Sequence, residues 1–555
     1  MANISYLRPT FKPEHSAQRL HERLTQPGHL RRNWGWYAGG GGLVVTLLAV
    51  LVVGAVVLAA SRASLSTDPS ALAQIGLPLG GGKVERVSVV TGPHSAPVPV
   101  QVRGGRLWPR GLVQAHQSVS VDVVVKRPGW IGWLAGGTER LRLTLITPSA
   151  SLREHYLTLR SGAPLVLSFK QPVQAVAYGP PGRLVRHLLT APRGELTVPH
   201  SGDAGTIAVA AAPRSWETST PALVSWFPAG AGAAAVATPA PGGSILPLTK
   251  ITLAFSKPVA DVLGSSMPAV SPATPGHWHT VSSHAIAFEP EGYGYGLGAK
   301  VTVGLPHGVR LVGAQQATGG AWSVPAGSTR RLQQLLAQLG YLPLSFNSAG
   351  TNIASTPAAQ EAAAIHPPAG SFSWRYPNVP ASLRSMWSPG ASGVMTRGAL
   401  MAFENDHGLT ADGLAGSAVW RSLIGADLSG RRSTSGYSYV MASTGSQSLS
   451  LWHNGHTVLT TPVNTGISSQ PTATGTYPVY EHISSGTMSG TNPDGSHYND
   501  TGIQFISYFN GGDALHAFTR AQYGFPQSLG CIEMALGPAG QVWPYTPIGT
   551  LVHVA

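Results

Sequence analysis

Between Leu43 and Ala60 the chain has no charged side chain, and Thr46 is its single strongly polar one. At 1.5 Å of rise per residue, a helix over this run covers roughly the 30 Å of a bilayer's hydrocarbon. Trp34, Trp36 and Tyr37 lie just before it, where interfacial aromatics belong. Arg8, Lys12, Arg19, Arg23, Arg31 and Arg32 precede it, and only Arg62 follows closely. The run is too long, and starts too far from the first residue, for a usual cleaved signal peptide. The reading is a basic cytoplasmic tail over 1–38, a single membrane-spanning helix over 39–61, and export of everything beyond.

The remaining chain must therefore fold outside the cytoplasm, and it does so with one cysteine among 555 residues. No intramolecular disulfide can staple it, so each domain depends on its own core. A content of 68 Gly and 45 Pro with 11% charged residues favours strands and turns over long helices. The net charge of +13 fits an anionic partner. The basic residues are scattered, with no reading motif beside them, which argues against nucleic acid.

Polar, Gly-rich 62–82 reads as a flexible linker. Over 83–226 the pattern alternates with period two. Val119, Val121, Val123 and Val125 fall on one face of a strand, and Leu141, Leu143 and Leu145 on one face of another. A β-sandwich domain is expected there. After an Ala/Gly/Pro linker over 229–243, a second β unit spans 244–313. Its histidines, His277, His279 and His284, have no acidic or Cys partner at ligand spacing, so no metal site is assigned. Residues 328–425 form a small helical unit. Leu332, Leu335, Leu336 and Leu339 make one apolar stripe, Thr329 is the expected cap, and a second helix runs from Thr396 to His407. A loop-like insert rich in Ser, Pro and Ala occupies 344–393.

Two resemblances attach to these units. The stretch from Ile251 to Val312 resembles a bacterial immunoglobulin-like domain. The strings Arg331-Leu332-Gln333-Gln334-Leu335 with Leu339-Gly340-Tyr341, and Ala402-Phe403-Glu404-Asn405-Asp406-His407-Gly408-Leu409 with Asp412-Gly413, Gly416 and Trp420, resemble the peptidoglycan-binding domain of wall hydrolases. The insert departs from that compact pattern.

The last unit, 436–555, is β-rich again and holds the lone cysteine, Cys531, after Ser528-Leu529-Gly530 and downstream of His516. A free cysteine is either a small buried hydrophobe or a nucleophile beside a base, and the local string leaves both open. Asn454-Gly455 marks a tight hairpin. The stretch Met488 to Asp500 is expected as a mobile lid. Tyr498 within it is a candidate substrate contact, His497 could touch substrate but reads rather as a solvated loop residue, His482 is grouped with the same stretch, and Glu533 reads as structural.

The order Val463-Asn464-Thr465-Gly466, then Pro471-Thr472 with Gly475-Thr476-Tyr477, then His516, then Ser528-x-Gly530-Cys531 resembles the L,D-transpeptidase catalytic domain. The resemblance implies Cys531 as nucleophile and His516 as its base. It also implies that Ser528 and Gly530 shape the cysteine loop, with backbone N–H groups near Gly530 and Cys531 as oxyanion donors. Leu529 stands where the family has a second histidine, and the spacing from His516 to Ser528 is short for the family. No cofactor is implied. The implied activity is cross-linking of peptidoglycan stem peptides at their third-position residues through a cysteine acyl-enzyme. Hydrolysis by an L,D-carboxypeptidase and a non-catalytic wall-binding scaffold are the alternatives. The whole is thus expected as a mainly β, multidomain protein anchored in the cell membrane by one pass, with its catalytic domain at the wall.

Overall fold

The computed structural model describes residues 41–78, 82–230, 232–313, 320–350 and 352–555. The basic tail and the interfacial aromatics of the sequence reading lie outside these residues. A helix covers Gly41–Ala60. Its side chains from Thr46 onward are exposed or half-buried, and those of its first five residues lie outside the description. Among the described residues no helix is long and apolar enough to cross a membrane.

The chain divides into two compact units, one of residues 1–111 and 118–146, the other of 112–117 and 147–555. The stretch 83–226, expected as one β-sandwich, is therefore split between them. In the first unit, Lys83–Thr91, Ser118–Lys126 and Thr138–Ile146 pair antiparallel, and Val119, Val121, Val123 and Val125 are buried as the alternation requires. The expected linker 62–82 is partly ordered structure. Ser64–Ser66 pairs with Ala73–Gly76, and Ala71, Leu72 and Ala73 are fully buried. Asp68 ties the turn between them by accepting from the backbone N–H groups of Ser70 (2.8 Å) and Ala71 (2.7 Å).

The second unit begins with a five-stranded sheet built from residues 156 to 228. Next come a five-stranded and a three-stranded sheet over 233–323, which enclose a core around Leu253, Phe255, Ile286, Phe288 and Trp322. The expected linker 229–243 contains one of these strands, Ala233–Thr238, because its alanines are small enough to bury on both faces.

In the helical unit, the first helix spans Thr329–Gln338, and Ser328 rather than Thr329 caps it, its Oγ accepting from the Arg331 N–H (3.2 Å). The leucine stripe is buried as expected, but Arg331, Gln333 and Gln334 on the opposite side are buried too. The supposed insert accounts for this. It is a hairpin (Leu344–Ser348 with Gly370–Trp374) and two short helices (Pro357–Ile365, Ala381–Ser385) wrapped over the polar side of the first helix. Gln334 donates to the Pro368 carbonyl (3.0 Å). Gln333 donates to those of Ser388 (3.1 Å) and Ala391 (3.0 Å), and Arg331 reaches Gln360 (2.7 Å). A buried polar face costs free energy unless its groups are bonded, and the insert supplies bonds to all three side chains, with Arg331 Nε left without a partner among the described residues.

The last unit has two sheets. One is five-stranded, in the order 456–462, 448–453, 438–443, 551–554, 475–478. The other is four-stranded, in the order 481–491, 497–510, 513–517, 532–534. The Asn454-Gly455 turn has both residues at positive φ, as a two-residue hairpin loop of this kind requires. Between the sheets lie Val440, Leu449, Leu451, Leu515, Ile532, Met534 and Val552. On its other side the first sheet does not meet solvent: Tyr437, Tyr439, Trp452 and Leu551 join one core with Leu335, Leu383, Leu400, Phe403 and Trp420 of the helical unit.

Candidate active site

The strands Asp513–Ala517 and Ile532–Met534 run parallel, with Leu515 opposite Ile532 and His516 opposite Glu533. Because side chains alternate across a strand, Leu515, Ala517, Ile532 and Met534 enter the core and His516 and Glu533 take the other face. Cys531, just before its strand, shares that other face with Ala514. The sheet thus places thiol and imidazole on one side of two adjacent strands. A cavity of about 760 Å³ opens there, lined by Cys531, His516, Tyr498, Tyr508, Leu529 and Arg520, among others.

Of the residues expected at the site, the structure brings Cys531, His516 and Tyr498 to this cavity, whereas Ser528 and Gly530 stand behind it. Ser528 is buried and donates from Oγ to the Cys531 carbonyl (2.6 Å), closing the cysteine turn. Gly530 has φ +115°, and a Cβ there would run into Asp513 Oδ1. The Val463–Gly466 string anchors the loop from below. Asn464 exchanges backbone hydrogen bonds with Glu533 (3.0 and 2.9 Å), the Thr465 carbonyl accepts from Gln527 (3.0 Å) and Ser528 (3.1 Å), and the Asn464 side chain accepts from the Gly524 N–H (3.1 Å).

The stretch expected as a mobile lid is the end of a long hairpin, Glu481–Thr491 with His497–Asn510. Its turn is tied by Asn492 N–H to the Ser496 carbonyl (2.8 Å) and by Asp494, which accepts from Ser496. Alternation along the second strand aims Tyr498, Asp500 and Tyr508 at the cavity. His497 is exposed and bonded to Thr491 (3.1 Å), and His482 is stacked on Trp543 at 4.3 Å, so neither histidine reaches the site.

His516 is buried, and Nδ1 donates to the Ala517 carbonyl at 2.9 Å, which leaves Nε2 unprotonated in the neutral ring. Burial holds the imidazole below its ordinary pKa, with the Ala517 carbonyl and the Glu533 carboxylate pulling the other way. Burial also pushes the Cys531 thiol up to about 12. The Asp513 and Glu533 carboxylates add to that rise, and the Ala514 N–H opposes it. The sulfur lies 3.7 Å from the Gly512 carbonyl, the contact of a protonated thiol. In the resting site the pair is thus neutral thiol and neutral imidazole. Tyr498 and Tyr508 stay protonated donors, their phenols raised by burial and then by the nearby sulfur.

Sequence reasoning missed three participants. Arg520 gives two hydrogen bonds to the Glu533 carboxylate (2.7 and 2.8 Å) and stacks over Phe518 at 4.4 Å. Asp513 backs the cysteine loop, and Tyr508 faces the sulfur. Strand register places Asp513 and Tyr508, a loop after Ala517 carries Arg520, and no spacing in the chain announces it.

Among solved structures, the chain is similar to the catalytic domain of an Enterococcus faecium L,D-transpeptidase, at 23% identity over 21% of this chain and 96% of that one, with TM-score 0.20. It is also similar to an L,D-transpeptidase from Mycobacterium smegmatis, at 10% identity over 57% of this chain and 96% of that one, with TM-score 0.20. The figures for L,D-transpeptidase 3 from Mycobacterium tuberculosis are 11% identity, 57% and 97% coverage and TM-score 0.20. No curated protein sequence matches the chain. The segment that holds the Cys531 cavity, residues 437–554, matches the family model of the YkuD L,D-transpeptidase catalytic domain.

Proposed function

We propose that the chain is a membrane-anchored L,D-transpeptidase that cross-links peptidoglycan stem peptides through an acyl-enzyme on Cys531. The observation that carries this reading is the shared cavity of Cys531, His516 and Tyr498 inside a segment that matches the catalytic-domain model. His516 Nε2 takes the thiol proton as the sulfur attacks the amide carbonyl before the terminal D-alanine of a tetrapeptide stem. Backbone N–H groups near Gly530 and Cys531 hold the oxyanion. Collapse breaks the C–N bond, the imidazolium returns its proton to the leaving amine, and D-alanine departs, leaving a thioester. The third-position amine of a second stem then attacks the thioester, forms the cross-link and releases the thiol. Water in place of that amine gives a carboxypeptidase.

The anchor is the apolar run 43–60, and the basic residues before it orient the catalytic unit toward the wall. The two-sheet β unit around Ile251–Val312 serves as an immunoglobulin-like spacer, and the helical unit as a wall-binding module. Leu529 and the raised thiol favour one second reading, a wall-binding scaffold whose catalytic fold is silent.

Intact-mass analysis of the purified protein after exposure to a carbapenem separates the two. An adduct on the wild type that is lost in Cys531→Ala supports the enzyme, and no adduct on the wild type leaves the scaffold. With a tetrapeptide stem as substrate, a cross-linked dimer marks transfer, and free tripeptide stem without dimer marks hydrolysis.

A further inference from the structure

Strand pairing gives the histidines of the 233–323 unit the acidic neighbours that the linear sequence conceals. His277 and His279 lie two apart on the strand Gly276–Ser282, so both project from one face. Trp278, between them, turns the other way into the core and donates from its indole N–H to the Pro268 carbonyl (2.8 Å), which fixes the strand's orientation. The neighbouring strand Ala285–Pro290 places Glu289 directly opposite His277. One ligand atom from each of His277, His279 and Glu289 lies within 4.8 Å of the others. His284, the third histidine, stacks on Tyr156 at 4.8 Å and takes no part.

Two further details mark the cluster. Glu291 Oε1 lies 2.9 Å from His277 Nδ1, the carboxylate support that orients a ring for metal binding and leaves its other nitrogen with a free lone pair. His279 Nδ1 is buried and, among the described residues, has no hydrogen-bond partner. Its nearest acidic atom is Glu289 Oε2 at 3.9 Å. A buried ring nitrogen without a partner is costly, and a cation held between His279 and Glu289 would satisfy it as a lone-pair donor to the metal.

We propose that His277, His279 and Glu289 form a binding site for a borderline divalent cation such as Zn²⁺ or Cu²⁺, outside the catalytic unit. Two imidazoles and one carboxylate are the donor set of these ions rather than of Mg²⁺ or Ca²⁺, which take oxygen. Metal–nitrogen bonds of about 2.0–2.1 Å require the three atoms to close in slightly, and the exposed side chains of His277 and Glu289 are free to do so. The fourth position stays open to water or to a donor from a partner.

The test is titration of tag-free, full-length Cys531→Ala protein with Zn²⁺ by calorimetry and with Cu²⁺ by electron paramagnetic resonance. The Cys531→Ala background removes the thiol as a competing ligand. We expect one saturable site, copper hyperfine structure from two imidazole nitrogens, and binding weakened at least about tenfold by His277→Gln or by Glu289→Gln, with His284→Gln unchanged. Both altered residues are surface side chains, and near-UV circular dichroism checks that each variant is folded. Absence of stoichiometric binding, or unchanged affinity in the folded His277→Gln and Glu289→Gln proteins, overturns the proposal.

Discussion

His516 stands opposite Glu533 across two parallel strands, and Glu533 in turn holds Arg520 with both carboxylate oxygens. His516 therefore sits over an ion pair whose carboxylate is buried and whose guanidinium is half-buried. Glu533→Gln keeps the shape and removes the charge, leaving the guanidinium with a weaker acceptor. We expect a loss of about 1–3 kcal/mol in chemical denaturation. Because the Glu533 carboxylate raises the pKa of His516, the acid limb of the acylation profile should move to lower pH in this variant. An unmoved limb would separate Glu533 from the base.

His516→Ala removes the proposed proton acceptor while leaving the Cys531 turn tied by Ser528 and Thr465. Carbapenem acylation should slow by about 10²–10⁴-fold with near-UV circular dichroism unchanged. Stopped-flow absorbance of the β-lactam chromophore gives the rate. A rate equal to that of wild type would remove His516 from the chemistry.

Gly530→Ala puts a methyl group at φ +115° and against Asp513 Oδ1. The cysteine turn must distort to admit it. Thermal and urea denaturation should show a loss of about 1–3 kcal/mol. Acylation should fall well beyond what that loss of folded protein explains, because the displaced loop is the one that carries Cys531, the proposed nucleophile.

His516 and Cys531 each add a pH dependence to stability. Burial lowers the His516 pKa, so the unfolded state binds the proton more readily below about 6.5. The resulting stability is present above that pH and is lost as pH falls toward the folded-state value. Cys531, raised from 9.0 to about 12, contributes stability that is present below pH 9 and is lost as the pH rises toward 12. Melting temperatures of wild type minus those of His516→Ala should narrow on the acid side, and those of wild type minus Cys531→Ala on the alkaline side. Acylation should rise with a single limb below pH 6.5 and then stay level, since the neutral imidazole rather than a resident thiolate drives it.

Local pattern was readable in the chain and three-dimensional neighbourhood was not. The valine alternation of 119–125, the Asn454-Gly455 turn and the leucine stripe of 332–339 follow from the residues alone, because one buried face leaves a periodic trace. The insert over 344–393 left none. Its composition reads as loop, and its role depends on bonding Gln333 and Gln334, polar residues on what looked like a solvent face. The stretch 488–500, expected as a mobile lid, is paired across the strands of the Glu481–Asn510 hairpin, which no local pattern announced. Motif order pointed to Cys531 and His516, while Asp513 and Tyr508 reach the cavity by strand register and Arg520 from the loop that follows the strand Asp513–Ala517. The acidic neighbours of His277 and His279 were hidden in the same way.

The core that Tyr439, Trp452 and Leu551 share with Leu335, Phe403 and Trp420 bears on how this protein can be cut. A fragment starting at residue 437 would follow the family's boundary but strip one side of a five-stranded sheet of its cover, baring aromatic and aliphatic surface to water. Recombinant pieces meant to stay monomeric should begin upstream of Ser328, so that the helices that seal this sheet travel with it.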